Sequence, residues 1–156
     1  MSNLIISQAK PNPSGKDRYK QFTPPTELVG EWVDIFNQTY QSIDLSSYSL
    51  YHKAYKPDGT SEFAIVTRLS GILLGRSIAR VHSGDFMTQN SMPEIDRIGA
   101  NIHLFTGKNY VWNNNKEDTP LIYNAVTKTT IDKATYDAFP PDGVILKRYG
   151  DRLIIA

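Results

Sequence analysis

The stretch Ile43-Asp44-Leu45-Ser46-Ser47-Tyr48-Ser49-Leu50 decides the fold class. Apolar and polar residues alternate within each half of it, which is the period-two pattern of a half-buried β-strand. The two halves are out of phase across Ser46-Ser47, and a β-bulge at these serines brings both apolar sets to one face. The stretch therefore predicts a bulged strand.

The same rhythm of strands and turns continues downstream. Short segments rich in Val, Ile, Tyr and Phe alternate with Gly, Pro, Asn, Asp and Ser, which is typical of an all-β domain. Pro57-Asp58-Gly59 predicts a hairpin turn, and Ser83 to Gly99, with few apolar residues, predicts the longest loop. Further strands are predicted at Leu4–Ile6, Phe63–Val66, Ser77–His82, Ile102–Phe105, Tyr110–Trp112, Leu121–Tyr123 and Thr129–Lys133.

Upstream of the deciding stretch, the segment Glu31 to Asn37 fits two patterns. Its apolar residues, together with Leu28, also form a helical stripe. Strand is favoured because the apolar run is short and the pattern becomes strand-like again soon after Asn37.

The C-terminus predicts a separate hairpin. Val144–Arg148 and Arg152–Ile155 flank the turn residues Tyr149-Gly150-Asp151. Consecutive apolar residues on both arms predict burial on both faces, and an isolated hairpin is marginal in water. The hairpin therefore either extends a sheet of the sandwich or joins two copies into a homo-oligomer. We assign residues 1–137 to the sandwich and 138–156 to a hairpin extension of the same domain.

Composition bounds the class of protein. A chain of 156 residues fits one domain and needs no metal or disulfide to hold a core. Cysteine is absent, which excludes disulfides and thiolate metal sites. The net charge of +1 lacks the basic bias of a dedicated nucleic-acid binder. No apolar run predicts a membrane span and Met1 to Lys10 shows no signal-peptide pattern, so the default expectation is a cytoplasmic protein.

Three stretches resemble the lamin tail domain family, in its bacterial type. They are Gly30 to Asn37, the deciding stretch Ile43 to Leu50, and Val111-Trp112-Asn113-Asn114 followed by Asp118-Thr119 and Leu121-Ile122-Tyr123. The turn at residues 13–18 also resembles bacterial members, and the likeness covers about Ile6 to Tyr136. One departure is Glu117, where the family usually has Gly. The motif residues that carry the resemblance are Trp32, Asp44, Leu45, Trp112, Asn113 and Asn114.

The resemblance implies a fold and a broad role. The fold is an immunoglobulin-like β-sandwich with the hairpin added at its C-terminus. Tail domains of nuclear lamins contact proteins and chromatin, and bacterial relatives are often accessory domains beside enzymes. Fold analogy alone is a weak warrant for function.

Aromatic and amide residues of the motifs have structural and functional interpretations. Trp32 and Trp112 could anchor a ligand, but filling the core between the sheets is favoured. Asn113-Asn114-Asn115 could bind a cation, but a turn is favoured, because Asn tolerates the left-handed backbone.

No constellation of reactive side chains is readable. His82, Asp85 and His103 are potential metal ligands, but they lack a repeated ligand spacing. Ser46 and Ser83 lie outside any nucleophile elbow. Glu31 and Asp34 point to opposite faces of one strand and so do not form an acid pair. The sequence predicts no catalytic, metal-binding or cofactor-binding residue, and no cofactor.

The hairpin carries the predicted interaction surface, which consists of Lys147, Arg148, Tyr149 and Arg152. The leading functional hypothesis is a non-enzymatic protein-interaction or scaffolding module with an unidentified protein partner. The first alternative is a weak binder of nucleic acid or another polyanion through this basic surface. The second is a cation-binding or enzymatic accessory domain centred on residues 83–99.

Overall fold

Twelve strands and very little helix make up the computed structural model, which describes residues 3–16 and 23–156. The helical elements are the single turns α1 (Pro25–Leu28) and α2 (Glu94–Arg97) and the 3₁₀ turns Leu45–Ser47 and Gln89–Ser91. The strands are β1 (Leu4–Lys10), β2 (Trp32–Asn37), β3 (Ile43–Asp44), β4 (Tyr48–Tyr55), β5 (Ser61–Arg68), β6 (Ile72–Leu73), β7 (Ile78–His82), β8 (Ile102–Phe105), β9 (Leu121–Asn124), β10 (Thr129–Lys133), β11 (Leu146–Tyr149) and β12 (Arg152–Ile155).

These strands form two main sheets. The larger has the order β12-β11-β1-β2-β7-β8, and the smaller has the order β10-β9-β4-β5. All pairs within them are antiparallel except β7 with β8, which are parallel. Strands β3 and β6 form a separate two-stranded ribbon. The predicted all-β, immunoglobulin-like sandwich is confirmed.

The main core lies between the two sheets. Val33 and Ile35 of β2 point inward, as alternation along a strand requires. They pack in one cluster with Leu50 of β4 and Ile122 of β9, and Trp112 joins them from the loop before β9. The choice of strand over helix at residues 31–37 is confirmed.

The two serines of the deciding stretch lie in a helical turn and not in the predicted bulge. Residues Leu45–Ser47 form one 3₁₀ turn, and the Asp44 carboxylate accepts a hydrogen bond from the Ser46 amide at 2.9 Å. The turn still corrects the phase, because Leu45 and Leu50 are both fully buried. The predicted β-bulge was wrong, since Asp44 caps a turn that a plain bulge does not need.

Residues 110–112 are not a strand, which corrects a second prediction. Hydrogen bonds from the amides of Val111 and Trp112 go to the Glu31 side chain instead of to a neighbouring strand. The predicted turn at residues 13–18 lies only partly within the described residues, where the Lys16 amide donates to the Pro13 carbonyl at 3.0 Å.

The C-terminal hairpin forms and joins the larger sheet through β1. Gln8 lies opposite Lys147, and Ala9 lies opposite Leu146. Only one face is buried, since Leu146 and Leu153 enter the core while Ile154 and Ile155 are exposed. The expectation of burial on both faces was wrong, and the arm before Leu146 is not strand.

A second, polar layer covers the outer face of the larger sheet. Alternation places Trp32 on this face, opposite to its neighbour Val33, so the predicted position of Trp32 between the sheets was wrong. Trp32 is nevertheless fully buried. The segment between β7 and β8 covers it through Asp96 of α2, which accepts a hydrogen bond from the indole nitrogen at 2.9 Å.

Candidate functional site

The buried Glu31 carboxylate organises the motif around Trp112. It accepts hydrogen bonds from the amides of Val111 and Trp112, at 2.9 and 3.2 Å, and from the Ser83 hydroxyl at 2.5 Å. The Lys16 ammonium lies 2.6 Å away and also donates to the Trp112 carbonyl at 2.7 Å. One carboxylate thereby fixes three separate segments, which explains why residues 110–112 need no strand partner.

Electrostatics at Glu31 follow from its complete burial. Burial raises the pKa of the Glu31 carboxyl above its usual range, while the charge of Lys16 and the hydrogen bonds from Lys16, Ser83 and the Val111 amide oppose that rise. Lys16 is itself almost fully buried. The pair is therefore a structural ion pair.

Asp118 organises the other side of the same motif. Its carboxylate accepts hydrogen bonds from the amides of Lys53 and Asn113, at 2.7 and 2.9 Å. It also contacts the Nδ1 atom of His52 at 3.2 Å and accepts from the Thr119 amide at 2.7 Å. Asp118 thus ties the motif loop to β4.

Side chains of the motif asparagines tie the motif loop to β4 and to the loop after β1. Asn113 donates to the Lys53 carbonyl at 2.7 Å, and Asn114 donates to the Asn12 side chain at 3.1 Å. Neither they nor Asn115 have a positive φ. The predicted turn owes nothing to the left-handed backbone, and that reason was wrong.

An open cavity of about 420 Å³, here called the motif cleft, lies over these residues. Its walls are Lys16, Tyr55 and the segment from Tyr110 to Lys116. The ammonium groups of Lys16 and Lys116 lie 5.2 and 4.9 Å from the ring centres of Tyr110 and Tyr55. Glu117, which replaces the family's usual Gly, accepts a 3.0 Å hydrogen bond from Lys53.

The charged side chains of the polar layer outside the larger sheet are paired with one another. Arg80 binds Asp34 through two hydrogen bonds of 2.7 and 2.9 Å, and its guanidinium lies 3.7 Å from the Trp32 ring centre. Lys10 donates to Asp96 at 2.5 Å. These charges are buried in pairs, as buried charges must be.

Two of the three potential metal ligands come together in this layer. The Nε2 atom of His82 lies 2.7 Å from Nδ1 of His103, and Nδ1 of His82 lies 2.6 Å from the Val29 carbonyl oxygen. Burial lowers the pKa of His82 to about 3. Asp85 does not join them, and within residues 3–16 and 23–156 no three His, Asp or Glu side chains form a metal-ligand set.

Residues of the predicted interaction surface have different environments. Arg148 holds Asp132 through two hydrogen bonds of 2.7 and 3.0 Å, and Arg152 pairs with Asp137. Lys147 and Tyr149 are exposed. Two of the three cations are therefore already partnered by carboxylates.

Sequence reasoning placed the residues that hold the motif together within the family-like stretches but assigned them no role. Lys16, Glu31 and Asp118 act on backbone groups distant in sequence, so no local spacing reveals them. A sign was available, however: a Glu next to Trp at the start of a buried strand needs a partner, because an isolated buried carboxylate is costly.

Comparison with known proteins bears on the family of this chain. No helix among the described residues is long and apolar enough to span a membrane. A search of curated proteins finds no match. The family model described as Lamin Tail Domain matches residues 1–138, which include the Glu31 and Asp118 centres. This chain therefore belongs to the lamin tail domain family.

Proposed function

We propose that this domain is a non-enzymatic protein-interaction module that binds a partner protein at its C-terminal hairpin. The binding surface combines the exposed hairpin residues Lys147 and Tyr149 with a groove of about 290 Å³ beside them. This groove, here called the hairpin groove, is lined by residues 137–141 and by Leu146, Leu153, Ile154 and Ile155.

The conformation of Phe139 is the observation that carries the proposal. Its φ angle is 61°, in the left-handed region that bulky residues avoid, and its side chain is 75% exposed. Such strain is maintained only when the surrounding structure holds it, and it clusters at functional sites. Here the Phe139 amide donates to the Asn114 carbonyl at 2.6 Å. An exposed aromatic ring on a strained backbone contributes little to the core, so contact with a partner protein explains it better.

The chemically capable side chains support a non-enzymatic role. Ser83, the potential nucleophile, donates a hydrogen bond from its hydroxyl to the Glu31 carboxylate. Glu31 and Asp118 are fully buried, and their carboxylates are already engaged by backbone amides and neighbouring side chains. A substrate has no access to these groups.

The polyanion alternative receives less support from the hairpin. Phosphate binding there competes with the Arg148–Asp132 and Arg152–Asp137 pairs. Only Lys147 offers a charge without breaking a pair, and affinity for polyanions grows with the number of phosphates neutralised.

Paired substitutions test the proposal. Phe139→Asn together with Ile155→Ser removes the exposed apolar groups, and Asn tolerates the left-handed backbone. We expect unchanged or slightly increased stability and loss of the partner recovered by affinity capture from the native host. Val126→Ser is the matched control, because Val126 is equally exposed (74%) on a different turn. Retention of the same partner by the double variant would show that the hairpin groove is not the binding surface.

Light scattering separates a foreign partner from a second copy. If the partner is another copy of this chain, the wild-type mass is that of a dimer and the double variant is a monomer. If the partner is a different protein, both have the mass of a monomer.

A further inference from the structure

A second cavity borders the motif cleft at Tyr110. This second cavity, of about 270 Å³, is lined by Ile65 and Val66 of β5 and by residues 106 and 108–111. Both cavities share Tyr110 and Val111 as walls. The two adjoining cavities are here called the tyrosine groove. The walls of one include Ile65 and Val66 of β5, and the walls of the other include Tyr55 and Lys116.

The charge of the tyrosine groove is one-sided. Its walls include Lys16, Lys108 and Lys116 and contain no Asp or Glu among the described residues. Lys16 is neutralised by Glu31, whereas Lys108 and Lys116 are exposed. The protein as a whole has nearly equal numbers of acidic and basic residues. The excess of positive charge is therefore a local property of this groove, and it favours an anionic ligand.

Strand β5 borders the groove with an open edge. It pairs with β4 on one side, and no other described strand pairs with it. The Lys56 amide donates to the Thr60 carbonyl at 2.8 Å. Lys56 and Thr60 are therefore a hydrogen-bonded pair of the β4–β5 hairpin. Because such pairs alternate along antiparallel strands, Glu62 and Ala64 also face β4. Phe63 lies between Glu62 and Ala64, so its amide and carbonyl point away from β4, toward the open edge.

The edge is apolar as well as open. Phe63 and Ile65 are 43% and 46% exposed. Lys108 reaches the edge where Val66 leaves the regular ladder, and its ammonium donates to the Val66 carbonyl at 3.3 Å. A partner strand can thus pair with the first half of β5 and bring its side chains close to Lys108.

We propose that the tyrosine groove binds an extended, acidic peptide segment of a partner protein, which adds a strand to the open edge of β5. Backbone pairing at Phe63 supplies affinity, as in other cases of strand addition. Lys108 and Lys116 select carboxylate side chains, and the Tyr110 and Tyr55 rings provide flat walls. The site is distinct from the hairpin groove and shares no residue with it, so either can fail independently of the other.

Fluorescence anisotropy with defined peptides tests the charge requirement. The probes are labelled octapeptides that alternate Val with Glu, with Lys or with Ser. We expect the Glu peptide to bind most tightly and Lys108→Glu together with Lys116→Glu to weaken it at least roughly tenfold, or about 1.4 kcal/mol. The same double variant should gain affinity for the Lys peptide. Lys128→Glu with Lys133→Glu makes the same charge change on β10 and its turn and should leave binding unchanged.

Two measurements test strand addition. Phe63→Pro removes the outward amide without removing a bond to β4 and should abolish binding, whereas Phe63→Thr keeps the amide and should bind within about threefold of wild type. Hydrogen exchange on the wild-type protein needs no variant: the Glu peptide should slow exchange at the Phe63 amide.

Three results overturn the proposal. The first is equal affinity for the three peptides. The second is unchanged exchange at Phe63 in the peptide complex. The third is an oligothymidine that displaces the Glu peptide and binds more tightly than it does, which would make the groove a nucleic-acid site.

Discussion

Two buried tryptophans stabilise different layers of the molecule. Trp112 packs in the core between the sheets, while Trp32 lies on the outer face between Arg80 and Asp96. Trp112 contributes apolar contact, and Trp32 also satisfies polar groups. The two residues should therefore respond differently to substitution.

Trp112→Ala is expected to lower the free energy of unfolding by about 3–5 kcal/mol, the usual cost of deleting a large buried aromatic residue. Urea denaturation followed by circular dichroism measures the change. Trp32→Phe serves as the comparison, because it keeps most of the ring but removes the donor to Asp96. We expect it to cost about 1–3 kcal/mol. A parental denaturation midpoint for Trp112→Ala would contradict its place in the core.

His82 makes stability depend on pH. In the folded protein the pKa of His82 is about 3, below the ordinary value of 6.5. Between these two pH values, the unfolded chain binds a proton at His82 and the folded chain does not. The stabilisation is complete above pH 6.5 and is lost as the pH falls toward 3.

Between pH 7 and 4.5 we expect His82 to account for a loss of about 2–3 kcal/mol. Denaturation of wild type and His82→Gln at both pH values isolates this contribution as the difference in slope. His103, whose pKa burial also lowers, adds a loss of the same sign that remains in the variant. Equal pH slopes for the two proteins would mean that His82 is not held neutral.

At the scale of the elements, Arg148 connects the two sheets. It extends from β11 to Asp132 of β10 and to the carbonyl of Ile6 in β1, at 2.7 Å each. Asp132 in turn accepts from the Ile6 amide at 2.8 Å. This small network holds one side of the sandwich closed.

Arg148→Ala is expected to destabilise the protein by about 1–3 kcal/mol, because it leaves Asp132 and the Ile6 carbonyl short of a donor. Lys147→Ala, at the exposed neighbouring position, should change stability by less than about 0.5 kcal/mol. Thermal unfolding of both variants measures the difference. Similar melting temperatures would indicate that the network is a surface feature without structural effect.

Strands were predictable where alternation was local, and they were mispredicted where distant groups intervened. Residues 63–66, 102–105 and 121–123 fall within observed strands because their side chains alone specify the pattern. Residues 110–112 have the same apolar character, but the amides of Val111 and Trp112 donate hydrogen bonds to the Glu31 side chain. The 3₁₀ turn at Leu45–Ser47 depends on a cap by the Asp44 side chain. The residue types in this stretch allow either that turn or a bulge, so they do not tell the two apart.

The same limit applies to the candidate site. The motif residues Trp112, Asn113 and Asn114 were identifiable, and they do line one cleft. Lys108 and Tyr55 lie in other segments, and only the packing of β4 and β5 against the loop after β8 brings them into the walls of two adjoining cavities. The family and the sandwich follow from the sequence, whereas the shape of a binding surface requires the fold.

At the scale of the whole molecule, the C-terminal hairpin extends the six-stranded sheet, and we propose that residues 138–156 fold as one unit with the sandwich. Truncation after Asp142 removes Leu146 and Leu153 from the core. Burial of each is worth about 1.5–3 kcal/mol, and β1 loses a neighbour. We expect a large loss of stability in calorimetry. Unchanged stability on truncation would mean that the hairpin is an independent appendage.

Strand β1 lies between β2 and β11 in the larger sheet. Its pairing is therefore complete only when β11, more than 130 residues later in the sequence, is available. During synthesis on the ribosome, one edge of β1 stays unpaired until Leu146 to Tyr149 have emerged. Contacts so distant in sequence slow folding, typically to milliseconds or seconds for sandwiches of this kind. The interval before closure is when the nascent chain is most prone to aggregation and most dependent on chaperones.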